Sequence, residues 1–355
     1  MKKRIVYFDY LRVAAMVAVI VLHVAAEKWG EFDGRSFTWN VFNGYNGIVR
    51  WGVPVFVMIS GALFLERDVQ IGNLYRKNIL RLLVAYGVWR VFYIVAEPML
   101  WMLLTRSTDV FLRGVRGNLS VPPRHMWFIP MIVGLYICLP ILKEIVKSKA
   151  AANWFLGLSF AVTFAVPQLE LMANDFIGGA VGKTVSVLCG FVTESMSMHL
   201  VFGYAFYFVL GYFLNKTELT RKQRRTVYIL GVVGFVSTVV LNALVAWKTN
   251  EPCDTYYGNY RINVLLEALA VHTWFKYRKY ENGKRDQVIS ALAKYSFGAY
   301  LIHPFVIRML SAVGVDTLMF APVIAVPVVC VITVCLAFVG SWVIHRIPVL
   351  NKWIV

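Results

Sequence analysis

Long apolar runs, each interrupted by only a few polar residues, recur along the chain from residue 5 to residue 345. A helix that crosses a bilayer needs about 20 predominantly apolar residues. By this measure the pattern predicts an all-α, polytopic integral membrane protein with about ten transmembrane helices in one bundle, forming a single domain over residues 1–355. The predicted spans run over residues 5–26, 45–65, 79–104, 125–142, 152–169, 196–214, 227–247, 261–276, 289–312 and 321–346.

Two stretches between the apolar runs are long enough to have a structure of their own. Residues 170–195 are ambiguous, because their pattern fits either a loop or a re-entrant segment. Residues 105–124 form the longest clear external loop, and the proline pair at 122–123 predicts that this loop is rich in turns. No repeat of fixed period is visible.

Composition supports the membrane assignment. The 355 residues are 59% hydrophobic and only 15% charged, and the mean hydropathy is +0.63. A soluble domain has roughly 45–50% apolar and about 25% charged residues, so the lipid bilayer is the expected surrounding. The five cysteines show no spacing typical of metal or redox sites, and no metal is expected.

The net charge of +17 follows from the loops between the spans. One set of loops carries 22 Lys and Arg residues, and the opposite set carries 10. Because cytoplasmic loops collect Lys and Arg, the richer set is expected to face the cytoplasm, with both termini on that side of the cell (plasma or inner) membrane. A nucleic-acid partner is not expected, because the basic residues lie in short loops.

The first predicted span contains ionisable residues, although a charge inside a spanning helix costs roughly 2.5–3.5 kcal/mol on insertion scales. His23 lies deep in this span, and Glu27 follows four residues later on the same helix face. A carboxylate in that position can set the tautomer of the imidazole and raise its basicity, which suits a general base. The alternative is a structural histidine that is hydrogen-bonded to a neighbouring helix.

Asp9 and Arg12 lie three residues apart and also share a face of this helix. They could form a local ion pair, or Asp9 could hold Arg12 in position to bind an anion. At a rise of about 1.5 Å per residue, Arg12 and His23 are about 16 Å apart along the helix axis. Arg12 is therefore expected near the cytoplasmic entrance, and His23 in the outer half.

Two further histidines are expected at a similar depth. His303 lies in the outer half of the ninth predicted span, where Pro304 loosens the helix, as is tolerated beside a cavity. His125 begins the fourth span next to Arg124 and Trp127, which are ordinary residues of a membrane interface. His272 and His345 are expected at the cytoplasmic interface. Weaker intramembrane candidates, some of which could pair with one another, are Arg90, Glu97, His199 and Glu267.

These residues occur in a pattern that resembles the transmembrane acyltransferase 3 family. The mark of that family is an Asp, then an Arg, ten residues and a His in the first span, which FDYLRVAAMVAVIVLH reproduces with Asp9, Arg12 and His23. Further pieces follow in the order of the family and cover nearly the whole chain. They are GVPVFVMISGALF (52–64), HMWFIPMIVGLYICLP (125–140), YFVLGYFL (207–214) and SFGAYLIHP (296–304).

The resemblance implies a bundle that takes acyl-CoA, by default acetyl-CoA, from the cytoplasm and acylates an acceptor on the outer side. His23 would act as a base or as a transient acyl carrier, and Arg12 would contact CoA. His303 and His125 would border the reaction chamber or the acceptor. The acceptor would be an extracytoplasmic glycan or a small molecule with a hydroxyl or amine.

One departure from the family pattern affects the CoA site. The family often has an Arg-x-x-Arg pair before the third span; here YRKNILRLLVAY keeps Arg81 but has Asn78 in the first position. Arg76 and Lys77 could supply the missing charge for the CoA phosphates. The remaining expected contacts are Asp9 and Lys294 on the CoA side, and Arg90, Arg124 and Trp127 on the acceptor side.

Other functions remain open from the sequence. A transporter that exports a polysaccharide or its precursor is the main alternative, and it would need polar residues at all depths. A structural partner in an envelope complex fits less well, because such a role does not need intramembrane His and Arg residues. The acyl group, the acceptor and the formation of a homo-oligomer are also left open.

Overall fold

The computed structural model describes residues 4–67, 70–192, 203–281 and 283–354, apart from the side chains of residues 349 and 352. This part of the chain contains helices and no strand, which confirms the all-α prediction. In chain order the helices are α1 (Val6–Ala26), α2 (Phe37–Gly47), α3 (Gly52–Glu66), α4 (Ile71–Asn73), α5 (Leu80–Thr105), α6 (Thr108–Ser120), α7 (Phe128–Ile137), α8 (Leu139–Lys147), α9 (Lys149–Phe160), α10 (Val166–Met172), α11 (Gly179–Gly190), α12 (Tyr204–Lys216), α13 (Arg221–Thr249), α14 (Ile262–Lys276), α15 (Lys284–Ala312), α16 (Pro322–His345) and α17 (Pro348–Trp353).

Several helical segments are long and apolar enough to cross a membrane, which confirms the polytopic class. Among the described residues these are Val6–Glu31, Phe37–Glu66, Ile71–Thr105, Lys149–Ile177, Arg221–Thr249 and Pro322–His345, with Thr108–Lys147 as a further, bent candidate. The predicted count of ten stays a prediction. Helices α12 and α14 have only 13 and 15 residues, and α15 carries charged residues along its length.

Helix α13 shows how the sequence separates a lipid-facing side from a packed side. Large apolar side chains at a spacing of three or four residues are exposed, among them Ile229, Val232 and Val236. The opposite side has small or polar residues such as Gly231 and Gly234, and it packs against α14. Small residues are typical of helix contacts in membranes because they let the backbones approach closely.

The chain divides into two compact units, which are described separately. Unit 1 contains residues 1–11, 29–68 and 138–280. Its most extensive helix contact is between α3 and α12. A Cβ atom on Gly61 would clash with the backbone of Phe208, and one on Gly211 would clash with the backbone of Met58. Two of the family-like pieces of sequence, 52–64 and 207–214, are therefore the two sides of one close helix contact.

Unit 2 contains residues 12–28, 69–137 and 281–355. Helices α15 and α16 pair along their length, and α5 contacts α6, α7, α15 and α17. The indole nitrogen of Trp89 donates a hydrogen bond of 3.0 Å to the backbone oxygen of Ile354, so α5 also holds the residues that follow α17. Both partners are buried.

The expectation of a turn-rich loop over residues 105–124 was wrong. Residues Thr108–Ser120 form α6, whose first turn is capped by the Ser107 side chain and contains Asp109. Helix α6 packs against α5, and the proline pair follows only after the helix has ended. In the ambiguous stretch 170–195, the described residues are also helical, and α11 packs back against α10.

Candidate active site

His303 lies in α15 and is completely buried. Its Nδ1 atom is 2.7 Å from the backbone oxygen of Tyr300. In a regular helix that oxygen would accept the N–H of residue 304, but proline has no N–H. Pro304 therefore leaves the Tyr300 carbonyl available, and the helix continues without a break to Ala312. Because a carbonyl can only accept, Nδ1 of His303 carries the proton and Nε2 carries the lone pair in the neutral ring.

His23 in α1 meets this lone pair. The distance between His303 Nε2 and His23 Nδ1 is 3.3 Å, and the two ring centroids are 4.9 Å apart. His23 Nδ1 is also 2.8 Å from the backbone oxygen of Val19. Both neighbours of Nδ1 are acceptors, so the N–H of His23 is at Nδ1 and its lone pair is at Nε2. This tautomer can accept a proton at Nε2.

His125 completes a cluster of three histidines within unit 2. It lies in the 3-10 turn Arg124–Trp127 before α7, and its ring centroid is 5.7 Å from that of His303. The hydroxyl of Tyr300 donates a hydrogen bond to the His125 backbone oxygen, which ties this turn to α15. His303 and His125 are buried, whereas His23 is partly exposed. His23 is thus the member of the cluster that a substrate can reach.

The expected CoA-binding cations also belong to unit 2, because Arg12 and the others all lie within its three segments. Four of these cations have exposed side chains: two lie in the π-helical turn Leu74–Ile79 before α5, one at the start of α5 and one in α15. These exposed cations are Arg76, Lys77, Arg81 and Lys294. Asp9 instead forms an ion pair of 2.6 Å with Arg4 in unit 1 and is almost fully buried.

Comparison with known proteins agrees with this arrangement. A family model described as an acyltransferase domain, that of acyltransferase 3, matches residues 5–344. The chain belongs to the acyltransferase 3 family. The resemblance of the sequence motifs is thereby confirmed, and acyl transfer is the general activity that the family supports. No curated protein and no solved structure matches the chain.

In this acyltransferase the expected partner of His23, Glu27, has other neighbours. Ser311 and Arg308 of α15 lie next to its carboxylate. The tautomer of His23 is set by the Val19 carbonyl and the His303 ring, as described above. A contribution of Glu27 to the basicity of His23 stays a prediction.

The residues expected near the acceptor differ in their surroundings. Arg90 donates to the backbone oxygens of Leu119 and Val121, at 2.9 and 3.2 Å, and so binds the carbonyl end of α6. Arg124 and Trp127 are exposed in the turn that contains His125. The structure thus gives Arg90 hydrogen bonds to the end of α6, and the acceptor contacts of all three residues stay predictions.

The weaker intramembrane candidates that the structure describes have partners outside their own set, so the expected pairing with one another stays a prediction. Glu97 lies 3.4 Å from Arg308, and Glu267, completely buried, accepts a hydrogen bond of 2.5 Å from Thr238. His199 lies outside the described residues. His272 is completely buried in unit 1, where its ring contacts Tyr7, and its expected depth at the cytoplasmic interface stays a prediction.

Sequence reasoning missed the tyrosines that surround the three histidines. Tyr300 supplies both a carbonyl for His303 and a hydroxyl for His125. Tyr93 donates a hydrogen bond of 2.8 Å to the Leu301 backbone, and its ring lies 5.1 Å from that of His125. The position of Tyr300, four residues before Pro304, was the signal that could have identified it. Among the described residues, no group of His, Cys, Asp or Glu is arranged to hold a metal ion.

Proposed function

We propose that this protein transfers an acyl group, by default acetyl, from acyl-CoA on the cytoplasmic side to an acceptor on the outer side of the cell membrane. The acceptor group is a hydroxyl or an amine, and a cell-surface glycan is the favoured acceptor class. The proposal is carried by one observation, the contact of 3.3 Å between His303 Nε2 and His23 Nδ1. Because Nδ1 of His23 carries the proton in this contact, the lone pair that can accept a proton is on Nε2 of the partly exposed ring.

In the proposed reaction, His23 Nε2 accepts the proton of the acceptor hydroxyl while its oxygen attacks the thioester carbonyl. The C–S bond breaks, the acyl–oxygen bond forms, and the proton passes from His23 to the CoA sulfur. General-base action of this kind contributes about 10²–10⁴-fold. The apolar surroundings limit hydrolysis, and holding both substrates together supplies a further large part of the acceleration.

The donor side of the proposal depends on the cations of unit 2. Arg12 would contact CoA about 16 Å below His23 along α1, and the exposed Arg76, Lys77 and Arg81 would bind its phosphates by charge-assisted hydrogen bonds. Lys294 would add to the same positive field. Asp9 is paired with Arg4, so its proposed part in the donor site is indirect.

The test is release of free thiol from acetyl-CoA by the purified protein in lipid nanodiscs, with and without an acceptor. We expect His23→Ala to abolish release while its thermal unfolding stays close to that of the parent protein. His345→Ala is the matched control, because His345 is also a histidine of unit 2 with its Nδ1 bonded to a backbone oxygen. Retained turnover in His23→Ala would contradict the assigned base.

The role of Arg12 is tested by measuring CoA affinity in the same preparations. We expect Arg12→Ala to weaken CoA binding by about tenfold or more, the usual size for loss of a charge-assisted contact. His23→Ala should bind CoA with nearly the parent affinity. Equal CoA affinities of the two variants would contradict the donor-side assignment of Arg12.

A further inference from the structure

Unit 1 contains a cavity whose lining residues all belong to this unit. Its volume is about 470 Å³, which lies in the range of roughly 300–1,000 Å³ typical of small-molecule sites. The lining residues come from the region around α9 and α10, the start of α12 and the segment before α14. They are Thr163, Pro167, Gly203, Gly258, Tyr260 and Arg261. We call it the unit 1 cavity.

Half of this lining comes from residues 250–261, which connect the predicted outer ends of α13 and α14 and are called the outer loop below. Hydrogen bonds to neighbouring helices hold the outer loop in place. The backbone N–H of Tyr256 donates to Asn242 at 3.0 Å, and its carbonyl accepts from Asn263 at 2.8 Å. The hydroxyl of Tyr207 donates to the carbonyl of Asn259 at 2.7 Å. A loop fixed in this way loses little entropy when it binds a ligand.

The ring of Tyr260 lines the unit 1 cavity, and the ring of Tyr204 packs against it. The rings of Tyr260 and Tyr204 are 4.9 Å apart between centroids. Gly203 has a φ angle of +85°, and a Cβ atom there would lie 3.1 Å from the Tyr260 hydroxyl. The glycine thus leaves open the space beside this ring. The face of an aromatic ring carries partial negative charge, so it attracts the weakly positive C–H groups on the flat side of a sugar ring.

The charges near the cavity favour a neutral ligand that has many hydroxyl groups. Arg261 donates from Nε to the Thr255 carbonyl at 3.0 Å, which fixes the plane of its guanidinium. The carboxylates of Glu170 and Asp175 are close enough to act on this guanidinium electrostatically. Lys248 donates to the backbone oxygen of Asp175 at 2.7 Å, so two cations balance two carboxylates here. No excess positive charge is left for a phosphate, whereas hydroxyls can both donate and accept.

We propose that the unit 1 cavity binds one or two sugar residues of a neutral glycan on the side predicted to face outward. Tyr260 contacts the flat face of the sugar, and Arg261 contacts its hydroxyls. The bound glycan is the acyl acceptor, an assignment that rests on the proposed function; the binding itself does not.

The first experiment measures glycan binding by the purified protein in nanodiscs without acyl-CoA, on an array of neutral envelope and model oligosaccharides. We expect Tyr260→Ala to weaken binding about tenfold, as loss of an aromatic contact of about 1.4 kcal/mol would do. Tyr260→Phe keeps the ring and should bind nearly as the parent does. Trp247→Ala is the control, because Trp247 is an exposed aromatic residue at the same end of α13. The absence of any binding that depends on Tyr260 would overturn the proposal.

A second experiment tests what occupies the cavity. Gly258→Cys is made in a protein with serine at Cys138 and Cys335, the two exposed cysteines of the described chain. Gly258 lines the cavity, is exposed and has room for a side chain beside Arg261. We expect a small polar thiol reagent to label the new cysteine from the outer side, and the glycan that binds on the array to slow the labelling. Labelling by lipophilic reagents only would mean that lipid fills the cavity, and would overturn the proposal.

Measuring thiol release from acetyl-CoA with water as the acceptor separates the test of the sugar site from the test of the proposed function. Trp247→Ala should leave that rate unchanged, because Trp247 lies neither in the donor site nor in the lining of the cavity. Glycan binding without thiol release would leave the sugar site standing and remove the proposed reaction. Thiol release without Tyr260-dependent glycan binding would do the reverse.

Discussion

Pro304 acts on His23 through two intermediate groups, the Tyr300 carbonyl and the His303 ring. Without an N–H at residue 304, the Tyr300 oxygen accepts from His303 Nδ1. His303 then presents the lone pair of Nε2 to His23 Nδ1. The proton positions of both rings therefore follow from a missing backbone donor. In the proposed reaction, Pro304 thus acts by fixing the tautomer of His23.

Replacing Pro304 by alanine restores the N–H that competes for the Tyr300 carbonyl. We expect the thiol-release rate to fall roughly tenfold, a fraction of the general-base contribution, while CoA affinity stays unchanged. Stability should be equal or higher, because a proline inside a helix costs about 3 kcal/mol. The measurements are turnover, CoA binding and thermal unfolding of the same preparation.

Pro327→Ala is the control, since Pro327 also lies inside a helix of unit 2 but is exposed. It should gain stability without losing activity. If Pro304→Ala turned over at the parent rate, the Tyr300 carbonyl would have no part in setting the tautomer.

At the scale of residues, the sequence predicted that His23, His303 and His125 lie at a similar depth, but not all of their partners. The depth of His23 and His303 follows from counting along their helices. The pairing of His23 with Glu27 was inferred from a spacing of four, yet its Nδ1 contacts a ring 280 positions away. Local spacing describes one helix face, whereas contacts between helices depend on packing that a single sequence does not display.

At the scale of elements, two glycines determine how closely α3 and α12 pack. Gly61→Ala places a methyl group against the Phe208 backbone, so we expect a loss of about 1–3 kcal/mol of stability from overpacking. Gly157→Ala in α9 is the matched control. No atom of another segment lies near Gly157, and alanine there should raise the free energy of unfolding by about 0.5–1 kcal/mol. Thermal unfolding in nanodiscs measures both, and equal effects would argue against the close contact.

Substitution of Arg90 can distinguish its two interpretations, a hydrogen-bond donor to the end of α6 and a contact of the acceptor. If it holds the end of α6, Arg90→Met should increase protease cleavage within residues 108–120, with about 1.5–3 kcal/mol less local stability per lost charged hydrogen bond. Acceptor KM should then stay near the parent value. A raised acceptor KM without increased cleavage would instead support the acceptor contact expected from the sequence.

The existence of α6 also shows where pattern reading stops at this scale. In TDVFLRGVRGNLS the apolar residues recur about every four positions, as in an amphipathic helix, and Ser107 is a good N-cap. The two prolines after it are typical of turns, which is why the sequence predicted a loop. Helices in the apolar runs were easier to predict because bilayer thickness sets their length, whereas α6 depends on packing against α5.

At the scale of the whole molecule, the orientation in the membrane decides which substrate meets which end. The excess of Lys and Arg in one set of loops predicts that the start of α13 is cytoplasmic and its end external. This helix has 29 residues and is therefore about 44 Å long, so its two ends must lie on opposite sides of a bilayer. One helix can thus test the orientation on which both proposals depend.

We expect a membrane-impermeant thiol reagent to label Asp254→Cys in intact cells, and Lys222→Cys only in inverted membrane vesicles. Both residues are exposed and flank the same helix, so each variant is the control of the other. The parent protein again has serine at Cys138 and Cys335. The opposite labelling pattern would place the exposed cations of unit 2 outside the cell, where no acyl-CoA is available. The proposed donor site and the proposed outward-facing sugar cavity would then both be wrong, because the cations of the donor site would lie outside the cell and the cavity would face the cytoplasm.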